Sequence, residues 1–97
     1  MYDLTAFQRD IIVVMAGLDA PQGTAVSEAL DRYYEGDVHH GRLYPNLDVL
    51  VDRGLVEKGQ KDDRTNEYRL TTKGEQMLKA RREWEDEYLD YAGGSRS

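Results

Sequence analysis

The first helix is predicted from apolar residues that recur at intervals of three or four: Leu4, Phe7, Ile11, Val14 and Leu18. Thr5 and Gln8 have the spacing of a capping box, in which the threonine hydroxyl and the glutamine amide bind free backbone N–H groups at a helix start. A second, shorter helix follows the loop at 19–23. We expect Thr24 to cap it and Gly36 to end it, and we expect three residues to point inward: Val26, Leu30 and Tyr33.

A third helix, over about 40–53, is predicted from the spacing of Leu43, Leu47 and Leu50. This helix is expected to start between about residues 37 and 41. Because proline is tolerated in the first turn of a helix but breaks its interior, the start should also lie within about one turn of Pro45. Gly54 stands where a left-handed residue commonly ends a helix.

A β-hairpin is predicted directly after the third helix. Leu55-Val56 opens one strand, and the alternation of polar and apolar residues over 67–70 indicates the other. The segment 59–66 between them is wholly polar and is expected to form an exposed tip. A helix followed by such a hairpin is typical of winged-helix DNA-binding proteins.

The last helix, over about 72–91, is predicted to begin at a second capping box formed by Thr72 and Glu75. One stripe of the helix carries Met77, Ala80, Trp84, Tyr88 and Tyr91. The predicted fold class is mainly α with a β-hairpin (α+β). It is a winged helix-turn-helix with a three-helix core, a wing and a long C-terminal dimerisation helix. One domain spans 1–92, and 93–97 is expected to be a disordered tail.

The motifs of the third helix and the hairpin resemble those of the PadR family of transcriptional regulators. The matching stretches are Gly41-Arg-Leu-Tyr-Pro-Asn-Leu-Asp-Val-Leu50, Arg53-Gly-Leu-Val-Glu57, Tyr68-Arg-Leu-Thr71 and Gly74. The second helix departs from the family, which often has histidine-glycine-tyrosine where this chain has Gln22-Gly23-Thr24. The resemblance implies a DNA-binding regulator with a single C-terminal helix, as in the smaller members.

Composition excludes several classes of protein. The chain has 97 residues and no cysteine, which rules out disulfides, thiolate catalysis and zinc ribbons. No apolar run approaches the roughly 20 residues of a membrane span, and no signal peptide is visible, so we expect a cytoplasmic protein without membrane contact. No catalytic constellation is present, and we expect neither enzymatic activity nor a cofactor.

The net charge of −6 is unusual for a DNA-binding protein. Residues 39–69 contain six acidic and six basic residues, so the whole excess of negative charge lies outside the predicted DNA-binding segment. The preference for nine arginines over four lysines resembles small haloarchaeal members of the family. Solution cations are therefore expected at the DNA interface.

The candidate DNA-binding residues lie in three places. The first turns of the third helix carry five of them: His39, His40, Arg42, Tyr44 and Asn46. Arg42 could bind a guanine and Asn46 an adenine. The wing contributes Lys61, Arg64 and Asn66, with Arg64 favoured by the resemblance, and Thr24 joins them from the second helix. The alternative is that these are ordinary solvated residues. We expect no metal at the adjacent histidines, because they point in different directions.

The aromatic stripe of the last helix is predicted to form a homodimer interface through Trp84, Tyr88 and Tyr91, with Met77 at its beginning. A small-molecule effector pocket between the last helices, as in some PadR relatives, is the alternative. The predicted function is a homodimeric transcriptional regulator, a repressor, that binds a pseudo-palindromic operator in double-stranded DNA. A winged-helix protein–protein interaction module without DNA binding is the competing interpretation.

Overall fold

The computed structural model of the chain describes residues 4–36 and 40–92, with the side chains of 40 and 90–92 left out. Its elements in chain order are α1 (Ala6–Ala16), α2 (Gly23–Tyr34), α3 (His40–Asp52), β1 (Val56–Gln60), β2 (Asn66–Leu70) and α4 (Thr72–Ala92). This order confirms the predicted winged-helix fold class. The predicted tail at 93–97 lies outside the described residues, as does His39.

α1 begins at the predicted capping box. The backbone N–H of Gln8 donates to Thr5 Oγ1 at 3.1 Å, and the N–H of Thr5 donates to Gln8 Oε1 at 3.2 Å. The buried face is wider than the predicted stripe, because Ile12 and Met15 are buried as well as Phe7. α1 therefore packs against the other elements on more than one side.

α2 corrects three predictions. It begins at Gly23 with Gln22 as its N-cap, so Thr24 lies exposed in the first turn and does not cap the helix. Tyr33 is 73% exposed, because the last turn of α2 extends past the core. The helix ends at Tyr34, and Glu35 rather than Gly36 takes the left-handed conformation, with φ of 56°.

α3 has the predicted buried face and the predicted end. Leu43, Leu47 and Leu50 are fully buried. Gly54 has φ of 76°, and its N–H donates to the carbonyl of Val51 at 2.9 Å. The N–H of the next residue, Leu55, donates to the Leu50 carbonyl at 3.0 Å. These two bonds form a Schellman motif, which turns the chain from α3 directly into the hairpin.

The hairpin is antiparallel, with Val56 opposite Leu70 at its base and Gln60 opposite Asn66 at its outer end. The tip is therefore 61–65, shorter than the predicted 59–66, because β-pairing continues into the polar residues. Asn66 lies in β2 rather than in the tip. The N–H of Tyr68 donates to the Pro21 carbonyl at 2.8 Å, which joins the wing to the segment before α2.

α4 is capped by Thr71, not by Thr72 as predicted. Thr71 Oγ1 accepts from the N–H of Gly74 at 3.0 Å and donates to the Gly54 carbonyl at 2.6 Å. A side chain at Gly74 would collide with the carbonyl of Leu55, so the glycine allows α4 to pack against the start of the hairpin. Met77 is only 8% exposed and belongs to the core, whereas the helix beyond Leu78 leaves it. Among the described helices, none has an apolar stretch that could span a membrane.

Candidate nucleic-acid interface

The first turns of α3 carry the side chains of this helix that are predicted to contact DNA. Arg42 and Tyr44 are exposed, and Asn46 is half-buried. His40 is the first residue of the helix, although its side chain is outside the described part of the structure. The predicted candidates of the third helix that the structure describes therefore share one end of α3, but they do not have equal access to solvent.

Arg42 is held by an aromatic ring of α1. Its Cζ atom lies 4.1 Å from the centroid of the Phe7 ring, and the ring of Tyr34 in turn lies 6.3 Å from Phe7 in a stacked arrangement. A cation–π contact uses the flat face of a guanidinium, whereas hydrogen bonding to a base uses its edge. Phe7 can therefore orient Arg42 without occupying the edge that would bind DNA.

The Tyr34 hydroxyl donates a hydrogen bond to the carboxylate of Asp10 on α1. Partial burial is the largest of the causes that raise the pKa of Tyr34 to about 12. This hydrogen bond and the negative charge of Asp10 contribute to the same rise. The hydroxyl is thus a fixed donor at neutral pH, and it ties the end of α2 to α1 beside the Phe7 ring.

Asn46 has protein partners for both ends of its amide. Its Oδ1 accepts from Gln8 Nε2 at 2.8 Å, and its Nδ2 donates to the backbone carbonyl of Arg42 at 2.8 Å. Bidentate binding of adenine uses these same two atoms. The predicted role of Asn46 as a base reader would therefore need this amide to leave its partners.

Tyr44 lies against the first residue of α2. A Cβ atom placed on Gly23 would come within 2.6 Å of Tyr44 Cε1, so the ring occupies the space that the glycine leaves open. Thr24 is the next residue and is exposed. The fold thus brings two predicted contact residues, one from α2 and one from α3, to the same edge of the molecule.

The wing tip has a defined turn. Asp62 Oδ1 accepts from the N–H of Arg64 at 2.9 Å, and the N–H of Lys61 donates to the Thr65 carbonyl at 2.8 Å. The Arg64 N–H, together with the Thr65 hydroxyl, lowers the pKa of Asp62 below its ordinary value. Asp62 therefore organises the tip on which the exposed side chains of Lys61 and Arg64 are carried.

The sequence did not identify Phe7 and Gln8 as partners of α3, or Tyr34 as a neighbour of Phe7. Phe7 and Gln8 were already explained by the core and the capping box, and Tyr34 had no assigned role. The one available signal was Gln8, a polar residue at a position that helical spacing places near the core. It could not name Asn46, which is 38 residues away in sequence.

The outer half of α4 exposes large apolar side chains. Trp84 is 51% exposed, and Tyr88 and Leu89 are each 57% exposed. The rings of Trp84 and Tyr88 lie 5.4 Å apart, and Arg81 Cζ lies 4.6 Å from the Trp84 ring. Met77 is not part of this exposed surface because it lies in the core, and the side chain of Tyr91 is outside the described part.

A groove of about 830 Å³ runs between α1 and α4. Its apolar lining includes Val13, Leu78 and Leu89, and charged residues of both signs surround them. Within residues 4–36 and 40–92, side chains of the kinds that ligate metals do not gather into a cluster that could hold an ion.

A three-helix core whose third helix leads into a two-stranded wing defines a winged-helix transcriptional regulator. The model of the "Transcriptional regulator PadR-like family" matches residues 12–80, and the chain belongs to this family. A search among curated proteins gave no match.

Solved structures resemble the chain closely. RosR of H. salinarum is 49% identical over 89% of this chain and 77% of its own, with a TM-score of 0.85. A structure described as the complex hsRosR-S1 is 48% identical over 91% of this chain and 78% of the other, with a TM-score of 0.87. A mutant MarR from E. coli complexed with operator DNA is 26% identical over 80% of this chain and 53% of the other, with a TM-score of 0.70.

Proposed function

We propose that this regulator binds double-stranded DNA as a homodimer, with the first turns of α3 in the major groove and the wing on the flanking backbone. One observation carries the proposal: the exposed Arg42 stands at the start of α3, with its guanidinium oriented by the Phe7 ring at 4.1 Å. An arginine at the N-terminal end of a recognition helix can bind the edge of a guanine through two hydrogen bonds. We expect the protein to act as a repressor and to catalyse no reaction. We expect it to bind DNA in the cytoplasm.

Residues at the start of α2, on α3 and on the wing tip support the same orientation. Tyr44 and Thr24 lie together at the start of α2, where a phosphate could accept from their hydroxyls. Lys61 and Arg64 on the wing tip provide positive charge for the backbone further along the duplex. The MarR structure complexed with operator DNA has a similar fold, which favours DNA binding by this chain as well.

The exposed surface of α4 supports the homodimer. Trp84, Tyr88 and Leu89 together present large apolar side chains to solvent, and aromatic residues of this kind contribute strongly to protein interfaces. We place the partner protomer on this surface and keep Tyr91 as a predicted member of the interface from its spacing along the sequence. Two α3 helices would then enter successive major grooves about one helical turn apart on a pseudo-palindromic operator.

The groove between α1 and α4 is the place where an effector could act. It combines apolar side chains such as Val13 and Leu89 with charges of both signs. If the partner protomer covers α4 as proposed, part of this groove is filled by it, and a small molecule would share the remaining space. A ligand there would contact α1, which also carries the residues that hold Arg42.

The negative charge of the chain calls for cations at the DNA interface. Asp48 and Glu57 are exposed on α3 and β1, close in sequence to the proposed contact residues. Bound cations between such carboxylates and the phosphates would offset their repulsion. The same negative charge is what would favour the competing role as a protein–protein module.

The proposal is tested by selecting operators from random duplexes with the purified protein and footprinting the selected site. We expect two protected half-sites with centres about one helical turn apart. The Arg42→Ala variant should lose the protection, whereas Gln76→Ala, which changes an exposed residue in the first half of α4 outside the proposed DNA and dimer contacts, should keep it. No selected sequence at any salt concentration would favour the protein–protein module.

A further inference from the structure

Gln8 is a nearly buried polar residue of α1 that the proposed DNA contacts do not use. Only 8% of it is exposed. Its Oε1 accepts from the N–H of Thr5 at 3.2 Å, and a backbone N–H can only donate. The capping box therefore fixes the direction of the amide and turns Nε2 towards α3, where it donates to Asn46 Oδ1 at 2.8 Å.

The Asn46 amide is fixed in the same way. Because its Oδ1 faces Gln8, its Nδ2 faces the opposite direction and donates to the backbone carbonyl of Arg42 at 2.8 Å. A line of hydrogen bonds thus leads from the Thr5 backbone, through two side-chain amides, to the backbone of Arg42. Reversal of either amide would place two oxygens or two N–H groups against each other.

The start of α3 has a particular need for this support. Pro45 lies inside the helix and has no N–H, so the carbonyl of Gly41 lacks its usual helical donor. The weakened turn contains Arg42. Two residues of α1 support Arg42. Gln8 binds Asn46, which in turn binds the Arg42 backbone, and Phe7 contacts the Arg42 guanidinium at 4.1 Å.

We propose that Gln8 is a positioning residue for DNA reading, and that Asn46 transmits its effect rather than reading a base. The two amides set the rotation of the first turns of α3, and hence the direction in which the Arg42 edge meets the base pair. This inference rests on the proposed function, because it takes Arg42 as the reader. α1 thereby influences sequence specificity without touching DNA.

The test compares affinity for a selected operator with affinity for a scrambled duplex of the same length. Gln8→Glu is the main variant, because the new carboxylate can still accept from Thr5 N–H but cannot donate to Asn46. Ala6→Glu is the control for charge, since it adds the same charge to the first turn of α1 at an exposed position. Gln8→Met removes the amide without adding charge at nearly constant volume, and it serves if Gln8→Glu does not fold.

We expect Gln8→Glu and Gln8→Met to lower the ratio of specific to scrambled affinity about tenfold, the effect of one lost hydrogen bond to a positioned group. Ala6→Glu should leave the ratio unchanged. Asn46→Leu should lower it as much as Gln8→Met does, and the double variant should lose little more, because both act through one contact.

An unchanged ratio in both Gln8 variants would overturn the inference, as would a loss confined to Asn46→Leu, which would make Asn46 a direct reader. Arg42→Ala separates this failure from that of the proposed function. If Arg42→Ala lowers the ratio and the Gln8 variants do not, only the positioning role is wrong. If Arg42→Ala also leaves the ratio unchanged, the reader is elsewhere and both proposals fail.

Discussion

The ring of Tyr44, on α3, occupies the space beside Gly23 at the first residue of α2 that any other side chain would fill. A Cβ atom at position 23 would lie 2.6 Å from Tyr44 Cε1. Glycine at this position therefore serves the placement of a neighbouring ring, since its φ angle is not in the left-handed region. The contact joins the starts of two helices at the proposed DNA edge.

Gly23→Ala should move the Tyr44 ring and weaken DNA binding while leaving the fold nearly as stable. The ring is exposed and can swing away, so we expect the free energy of unfolding to change by no more than about 1 kcal/mol. The measurement is operator affinity in a double-mutant cycle. If Tyr44 contacts DNA, Gly23→Ala should have no further effect in a Tyr44→Ala background. Equal losses in both backgrounds would contradict the proposed role of the ring.

The two left-handed residues at helix ends predict opposite changes of stability. Glu35 has φ of 56°, which is unfavourable for a residue with a side chain, so Glu35→Gly should stabilise the protein by about 1 kcal/mol. Gly54 has φ of 76° and open space around it, so Gly54→Ala should destabilise it by about 1–2 kcal/mol through backbone strain alone. Urea denaturation of both variants measures the change in the free energy of unfolding. A stabilising Gly54→Ala would contradict it.

Most of the fold could be predicted because its signals are local. The leucine spacing of α3, the left-handed Gly54 and the capping box at Thr5 each depend on residues within one or two helical turns. The errors arose where tertiary structure decides. Tyr33 has the right spacing for burial, but the core does not extend to the end of α2.

The caps were misplaced for a related reason. Two threonines stand side by side at 71–72, and only the contact of Thr71 with the Gly54 carbonyl, 17 residues away, distinguishes them. For the candidate site, the sequence identified exposed residues such as Arg42 and Arg64. It could not identify what holds Arg42, because the bond between Gln8 and Asn46 joins residues from different helices.

Assembly should depend on the outer half of α4. We expect the parent protein to sediment as a dimer at micromolar concentration, and Trp84→Ala with Tyr88→Ala to give folded monomers, because these large aromatic side chains would form the centre of the interface. Glu83→Ala, on the same helix but off the stripe of Trp84, Tyr88 and Tyr91, is the control and should remain dimeric. Operator affinity should fall when dimerisation is lost, because the two half-sites are then no longer bound together. A monomeric parent would rule out this interface.

The response of DNA binding to salt should reveal the role of the negative charge. A protein that only releases cations from DNA loses affinity steeply as salt rises. Here the chain carries −6, and uptake of cations near carboxylates such as Glu57 would oppose that release. We expect affinity to be nearly flat, or to rise, from about 0.5 to 2 M KCl, and Glu57→Gln to restore part of the usual decline. A steeply negative slope in the parent would show that its acidity does not act at the interface.

The central claim is that α3 reads base edges through Arg42 while the wing binds the backbone through Arg64. The most direct measurement is the affinity of Arg42→Ala and Arg64→Ala for the selected operator and for a scrambled duplex. We predict that Arg42→Ala costs roughly 1–3 kcal/mol on the operator and little on the scrambled duplex, and that Arg64→Ala weakens both alike. If both variants bound the operator as tightly as the parent does, the proposed orientation on DNA would be wrong.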